Sequence, residues 1–289
     1  MSETVTLRSV LQEANGLRPQ SLLFTLFGDY IYARGERVTI RSLIKLLALF
    51  GISEQAVRTT VSRMTQRGWL TAERNGSVSH YIFTTKARQL IQDGRERIFD
   101  APHAAEEWNR CWHLVTYFIP EEHRRARDQF RRELSWLGYG MLTNTVWVSP
   151  RNQQREIETI AARLDIQNFV QTFDAQAEGF MSSAQLVARC WELGVLNHDY
   201  CDFIARHAPA ANFYRAQFAK NEAVDESECF ARRVLLIHQY RKFPYRDPYL
   251  PLELLPREWR GWEAAALFQE YHTLLAASAN NYFQSVVTN

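Results

Sequence analysis

Residues 53–68, SEQAVRTTVSRMTQRG, show two faces when set on a helix at about 100° per residue. Val57, Thr60, Val61 and Met64 fall on one side, and Gln55, Arg58, Thr59, Ser62 and Gln66 on the other. The second face has no hydrophobe and no acid, only side chains that donate hydrogen bonds. A face meant only to be wet mixes Glu with Lys. An Arg/Gln/Ser/Thr face behind a short preceding helix has the chemistry of a helix that enters a DNA major groove.

The flanks support that reading. Upstream, Ile40, Leu43, Ile44, Leu47 and Phe50 predict an apolar helix capped by Thr39. Gly51 stands where a left-handed residue ends it, and Ser53 with Glu54 starts the next helix with a cap and a first-turn acid. From Pro19 to Gly35, Leu22, Leu23, Leu26, Phe27, Tyr30 and Ile31 predict a bracing helix, with Pro19 suited to its first turn. Downstream of Gly68, Trp69–Arg74 and Ser77–Thr84 read as strands joined by Asn75-Gly76, which sets Arg74 opposite Ser77, Ala72 opposite Ser79 and Leu70 opposite Tyr81. An isolated Asn-Gly hairpin is ordinarily a solvated turn. Behind such a helix it reads as a wing whose polar tip lies along a phosphate backbone. The expected unit is an N-terminal winged helix-turn-helix.

A length of 289 residues predicts two or three domains, and 46% hydrophobic residues with 8 Trp supply their cores. There is no apolar run of about 18 residues to cross a membrane. The opening MSETVTLRSVLQEANGLRP contains acids and no apolar core of a secretory signal, so a cytoplasmic protein is expected. The net charge of +2 hides an asymmetry: residues 1–99 hold 14 Lys and Arg against 8 Asp and Glu, and residues 100–289 hold 20 against 24. The basic excess coincides with the helix-turn-helix and suits salt-sensitive phosphate contacts. Cys111, Cys190, Cys201 and Cys229 form no C-x-x-C pair and read as buried thiols of a reducing compartment. His198, Asp199, Cys201, Asp202 and His207 gather in one helical segment without a second dense ligand pair, so no metal centre is expected.

The whole chain reads as an α+β multidomain protein. Residues 1–20 are expected to be a flexible N-terminus, 21–100 the winged-helix domain, 101–178 a central ferredoxin-like domain and 179–289 an all-helical C-terminal domain. Asp100-Ala101-Pro102-His103 is the expected junction after a charged helix capped by Thr85. In the centre, strand 111–119, helix 121–137, strands 139–142 and 145–149, helix 153–164 and strand 168–173 give the βαββαβ order. Arg124, Arg125, Arg127, Arg131 and Arg132 are interleaved with Glu121, Glu122, Asp128 and Glu133, which makes a solvated face. Helices are expected over 183–193, 198–207, 212–220, 226–243 and 263–282, with a proline-rich elbow at 245–262.

SLLFTLFGDYIYARG at 21–35, VRTTVSRMTQRGWL at 57–70, YIFT at 81–84 and LLIHQYRKFPYRDPYLPLELLPREWRG at 235–261 resemble the PaaX-like regulators, the phenylacetic-acid degradation repressors. The resemblance runs from about Ser21 to Tyr282. It implies a dimeric bacterial repressor of an aromatic catabolic operon. Such a repressor is bound to double-stranded operator DNA and released by phenylacetyl-CoA or a related arylacyl-CoA, with no cofactor. The family's middle domain is similar to a small CRISPR-associated nuclease with an acidic metal ligand at the end of its first strand. Here that place is Tyr117-Phe118-Ile119-Pro120, so the ligand is missing. The family often has two basic residues after the wing glycine, where this chain has Ser77 and Val78.

The candidate roles follow. Gln55, Arg58, Thr59 and Ser62 are expected at base edges with Gln66 beside them, and Arg63, Arg67 and Arg74 at phosphates. Asn75, Ser77, Ser79 and His80 complete the wing contacts. A CoA thioester needs cations for its phosphates and an apolar pocket for its acyl group. Trp191, Tyr200, Tyr240 and Trp259 with Arg241, Lys242 and Arg246 are the candidates, although any one aromatic alone reads more readily as core. The rival readings are a metal-dependent nuclease and an RNA-binding protein built on the ferredoxin-like domain. The chain shows no nucleophile elbow, no H-E-x-x-H and no aromatic RNA-stacking signature.

Overall fold

Leu7, Val10, Leu11 and Ala14 recur at helical spacing, and they fold as α1 (Leu7–Ala14) with Val10 and Ala14 buried. In this computed structural model, which describes residues 7–32, 37–76, 78–99 and 107–288, the expected flexible N-terminus is therefore structured from residue 7. Its polar composition concealed a one-sided apolar stripe, and Arg232 Nη2 ties it down by donating to Ser9 Oγ at 2.8 Å. After it, α2 (Pro19–Leu26) widens into a π-helical turn at Phe27–Ile31, where one extra residue enters the turn. That turn buries Phe27, Tyr30 and Ile31. The expected helix end at Gly35 and the junction at Asp100–His103 lie outside the described residues.

Strand β1 (Val38–Thr39) leads into α3 (Ile40–Ala48), and the Ser42 N–H donates to the capping Thr39 Oγ1 at 3.1 Å. Helix α4 (Glu54–Gln66) starts at Ser53, whose Oγ accepts from the Ala56 N–H at 3.3 Å. Gly51 and Gly68 both take the left-handed conformation, at φ +72° and +70°. Strands β2 (Leu70–Asn75) and β3 (Val78–Phe83) follow, then α5 (Thr85–Phe99), and the sheet order is β1-β3-β2. The hairpin register differs from the expected one: Leu70 faces Phe83, Ala72 faces Tyr81 and Arg74 faces Ser79. Asn75 pairs with Val78, so Asn75 stays in the ladder and Gly76, at φ +62°, takes the turn. A slip of two keeps every side chain on its expected face.

The second sheet comprises β4 (Trp112–Tyr117), β5 (Gly140–Thr143), β6 (Val146–Ser149) and β7 (Val170–Ala175), antiparallel in the order β5-β6-β4-β7. Helix α6 (Arg124–Trp136) follows β4, and α7 (Gln154–Arg163) follows β6. Val115, Tyr117 and Trp147 form one core with Phe130, Leu134 and Ile157 of these helices. Trp112 and Val148 form another with Leu186, Leu193, Leu250 and Leu254.

Helix α8 (Ser183–Cys190) begins with a capping box made by Ser182 and Gln185. The two helices expected over 198–220 are one, α9 (Leu193–Ala219), which runs through Pro209. Helix α10 (Glu226–Tyr240) is followed by α11 (Gly261–Leu274) and α12 (Ala276–Thr288), which replace the single expected last helix.

Two compact units result: Met1–Ala101 with Cys201–Lys242 and Glu263–Asn289, and Pro102–Tyr200 with Phe243–Trp262. The helices after residue 179 thus do not form a unit of their own. The cause is α10, whose residues from Glu228 to His238 are all buried. A helix buried on every side needs neighbours on every side, and its buried charges need partners there. In its unit it meets α1, α2 and α12, and Phe230 lies 4.9 Å from Tyr30. Glu228 and Arg232 pair at 2.8 Å in this core, where Tyr214 also donates to Glu228 at 2.8 Å. No helix among the described residues is long and apolar enough to cross a membrane.

Buried imidazoles make this unit sensitive to acid. His207 Nε2–H donates to Gln239 Oε1 at 3.0 Å, and burial pushes the His207 pKa down to about 4. The folded value lies below the ordinary one, so His207 favours the folded state above pH ~6.5, and that contribution is lost as pH falls toward 4. The expected loss is roughly 2–3 kcal/mol between pH 6.5 and 4. Urea unfolding across this range checks it: His207→Gln should flatten the pH dependence, and an unchanged slope in that variant would contradict the assignment.

Candidate nucleic-acid interface

Val57, Val61 and Met64 anchor α4, which packs on α2, α3 and β2. This seating turns Gln55, Arg58, Ser62, Arg63, Gln66 and Arg67 to solvent and leaves Thr59 half-buried. The polar hydroxyls divide into two groups. Thr60 Oγ1 donates to Ala56 O at 2.7 Å and Thr65 Oγ1 to Val61 O at 3.0 Å, so both are committed to the helix itself. Among the described residues no such bond engages Gln55, Thr59, Ser62 or Gln66, whose donors face outward for an external acceptor.

Arg58 is pre-set by a partner that the two-faced pattern overlooked. Glu54 Oε1 accepts from Arg58 Nε at 2.8 Å and lies 2.7 Å from Nη2, across one helical turn. The signal was readable as E-x-x-x-R, a favoured order for such pairs. Both side chains are about half exposed, at 51% and 58% for Arg58 and Glu54, so the pair is weak. It aligns the guanidinium yet yields readily to a stronger bidentate acceptor.

The β2–β3 hairpin is fixed at its base and polar toward its tip. Phe83 stacks on Phe27 with ring centroids 4.2 Å apart, Phe24 meets Trp69 edge-on at 5.6 Å, and Lys86 Nζ lies 4.6 Å above the Trp69 ring. Arg95 donates to Gly28 O at 2.6 Å. Outward along the ladder Arg74 is exposed, Ser79 and His80 are half-buried, and Arg37 pairs with Glu73 at 3.2 Å. Arg37 is a further cation beside the hairpin, absent from the expected set. Ser77 and the side chain of Asn75 lie outside the described residues.

The expected effector residues divide between the units. Tyr240 stacks on Phe268 at 3.9 Å, Arg241 donates to Ser21 Oγ at 2.5 Å, and Lys242 is exposed. These three belong to the unit of α4; Trp191, Tyr200, Arg246 and Trp259 belong to the other. Tyr200 stacks on Phe243 at 4.3 Å, meets Trp259 edge-on at 5.4 Å and donates to Asp247 Oδ2 at 2.7 Å. Arg246 donates to Asp199 at 2.5 Å. Trp191 Nε1 donates to Gly138 O at 3.1 Å. Trp191 and Arg246 also line a cavity of about 380 Å³ with Tyr139, Trp147, Tyr245 and Pro248.

A model described as PaaX-like protein matches residues 18–87, the PaaX protein central Cas2-like domain matches 105–187, and the PaaX-like protein C-terminal domain matches 191–285. The transcriptional repressor PaaX of Escherichia coli (strain K12) is 31% identical over 265 residues, which is 90% of this chain and 81% of that relative. The uncharacterized protein Rv0674 from Mycobacterium tuberculosis has a solved structure of like fold. Its TM-score is 0.59 at 22% identity, over 97% of this chain and 100% of that one.

Proposed function

The chain belongs to the PaaX-like protein family, and from that premise we propose that it is a transcriptional repressor whose α4 reads the major groove of operator DNA. The family is regulatory, and the chain is not an enzyme. The carrying observation is the exposed donor face of α4, held out by the buried Val57–Val61–Met64 seam. In this reading α3, α4 and the β2–β3 hairpin are a winged helix-turn-helix. The β5-β6-β4-β7 sheet with α6 and α7 is a ferredoxin-like domain, as its strand order supports. Arg58 with Gln55, Thr59 and Ser62 reads bases, and Arg63, Arg67 and Arg74 hold phosphates. A homodimer presents two such helices to paired half-sites.

Arg58→Ala should cost about 1–3 kcal/mol at the cognate site and relax specificity at one base pair. Arg74→Ala should weaken all sequences alike and reduce the salt slope by about 1. Footprinting titrations at several salt concentrations read both effects, and full affinity with unchanged specificity in Arg58→Ala would overturn the assignment.

The operon is a phenylacetate-type catabolic operon in this reading, and the releasing effector is an arylacyl-CoA. The cavity beside Trp191 and Arg246 supports it, because aromatic walls with one cation suit an aryl acyl group. Release requires the effector to bind the DNA-free form more tightly. A gel shift with the upstream region of the chain's own gene, with and without arylacyl-CoA thioesters, tests both halves. A shift that no thioester reverses would remove the effector while leaving the repressor intact.

A further inference from the structure

At the start of β4 the chain brings together a thiol, an imidazole and a carboxylate. Cys111 and His113 flank Trp112, so strand alternation sends both to one side of the sheet. The ladder register sets His113 directly opposite Asp174 on β7. One ligand atom from each of Cys111, His113 and Asp174 lies within 4.8 Å of the others. His113 Nδ1 is 2.5 Å from Asp174 Oδ1, and the Cys111 thiol makes a long approach of 3.9 Å to Trp112 O. The Cys111 backbone is held on both sides: its N–H donates to Asn109 Oδ1 at 2.9 Å, and Trp108 Nε1 donates to its carbonyl at 3.0 Å.

We propose that Cys111, His113 and Asp174 bind a divalent transition-metal ion of the zinc type. A mixed sulfur, nitrogen and oxygen set selects zinc over the hard cations, which prefer oxygen alone. Thiolate and carboxylate together neutralise the dication, and binding releases the thiol proton. Zinc bonds of ~2.0–2.3 Å place tetrahedral donors about 3.3–3.8 Å apart, so the His113–Asp174 pair opens by about 1 Å and Cys111 swings inward. The Asp174 side chain is 66% exposed and that of His113 11%, so the adjustment falls to Asp174. Three protein donors leave a fourth position for water or a ligand. A cleft of about 310 Å³ lined by His113, Asp174, Tyr139, Asn152 and Gln154 gives that position room. The site lies at the opposite end of β4 from Tyr117, where the nuclease-type acid is missing, so it is a separate feature.

A bare His113–Asp174 ion pair would not involve sulfur, and that difference defines the experiment. The full chain, stripped with chelator, is titrated with zinc against a chromophoric competitor and separately with cobalt. A single tightly held ion per chain is expected, with a thiolate-to-cobalt charge-transfer band in the near ultraviolet. Cys111→Ser should abolish the band, His113→Asn and Asp174→Asn should each weaken zinc binding roughly tenfold or more, and Cys190→Ser should leave both unchanged. Circular dichroism of each variant confirms that the fold is retained. No retained ion in the unmodified chain, or an undiminished band in folded Cys111→Ser, would overturn the proposal.

Discussion

Replacing Asp29 with Ala is expected to destabilise the chain by about 3–5 kcal/mol. Asp29 sits in the π-helical turn, and its Oδ2 lies 2.7 Å from Arg233 Nη1, with the two side chains only 5% and 8% exposed. His272 Nε2–H points at the same carboxylate from 3.2 Å. Burial holds His272 below the ordinary histidine value, so the ring serves as a neutral donor. Without Asp29, Arg233 keeps the His272 carbonyl at 3.2 Å and the face of Tyr30 at 5.0 Å, and neither carries a negative charge. The cation is then stranded in the core. Removing both charges in Asp29→Leu with Arg233→Met should recover most of the loss, because two apolar side chains leave nothing unpaired. In urea the single variant should lower the midpoint at unchanged slope. A double variant no more stable than the single would show that the pair contributes by packing rather than charge.

Phe27→Ala is expected to cost about 3–5 kcal/mol, from lost transfer energy and the cavity left behind. Phe27 is fully buried and stacks on Phe83, the residue that pairs with Leu70 at the foot of the β2–β3 hairpin. The change should therefore reach beyond stability. Amide exchange should accelerate across residues 70–83, and operator affinity should fall although α4 itself is untouched. Phe27→Leu keeps most of the volume and should cost less than about 1.5 kcal/mol. If Phe27→Ala left exchange in the hairpin unchanged, the stack would not be what supports the wing.

Both predictions concern a turn that the apolar spacing of 22–31 did not reveal. Those residues read as one continuous α-helix because a π turn adds a residue without breaking the apolar run. What was legible was local. The two faces of α4, the Ser53 cap and the left-handed Gly51 and Gly68 depend on neighbours a few residues away, and the structure has them as expected. So does the β-α-β-β-α-β succession of residues 112–175. The hairpin register differs by two because Asn75 takes a ladder place, opposite Val78, instead of a turn place. The grouping of α10 to α12 with the first hundred residues was beyond reach, since it rests on contacts such as Tyr30–Phe230 across two hundred positions. In the candidate site, Arg58 was readable and its brace Glu54 was not sought. Cys111 was dismissed for lacking a second cysteine nearby, while its companion Asp174 lies across the sheet.

The interleaving of the two units has a consequence in time. The chain leaves the first unit near residue 101, re-enters it at 201 and 263, and α12 closes on α3, where Ser42 Oγ donates to Val286 O at 3.2 Å. A ribosome adding ~5–20 residues per second makes α3 and α4 roughly 10–40 s before Val286 exists. Through that interval α3 and α4 rest on an unfinished support. Interrupted chains ending before residue 276 would carry every side chain proposed to contact DNA and yet lack the α12 support of α3, so on the proposed reading such fragments would not compete with finished molecules for the operator.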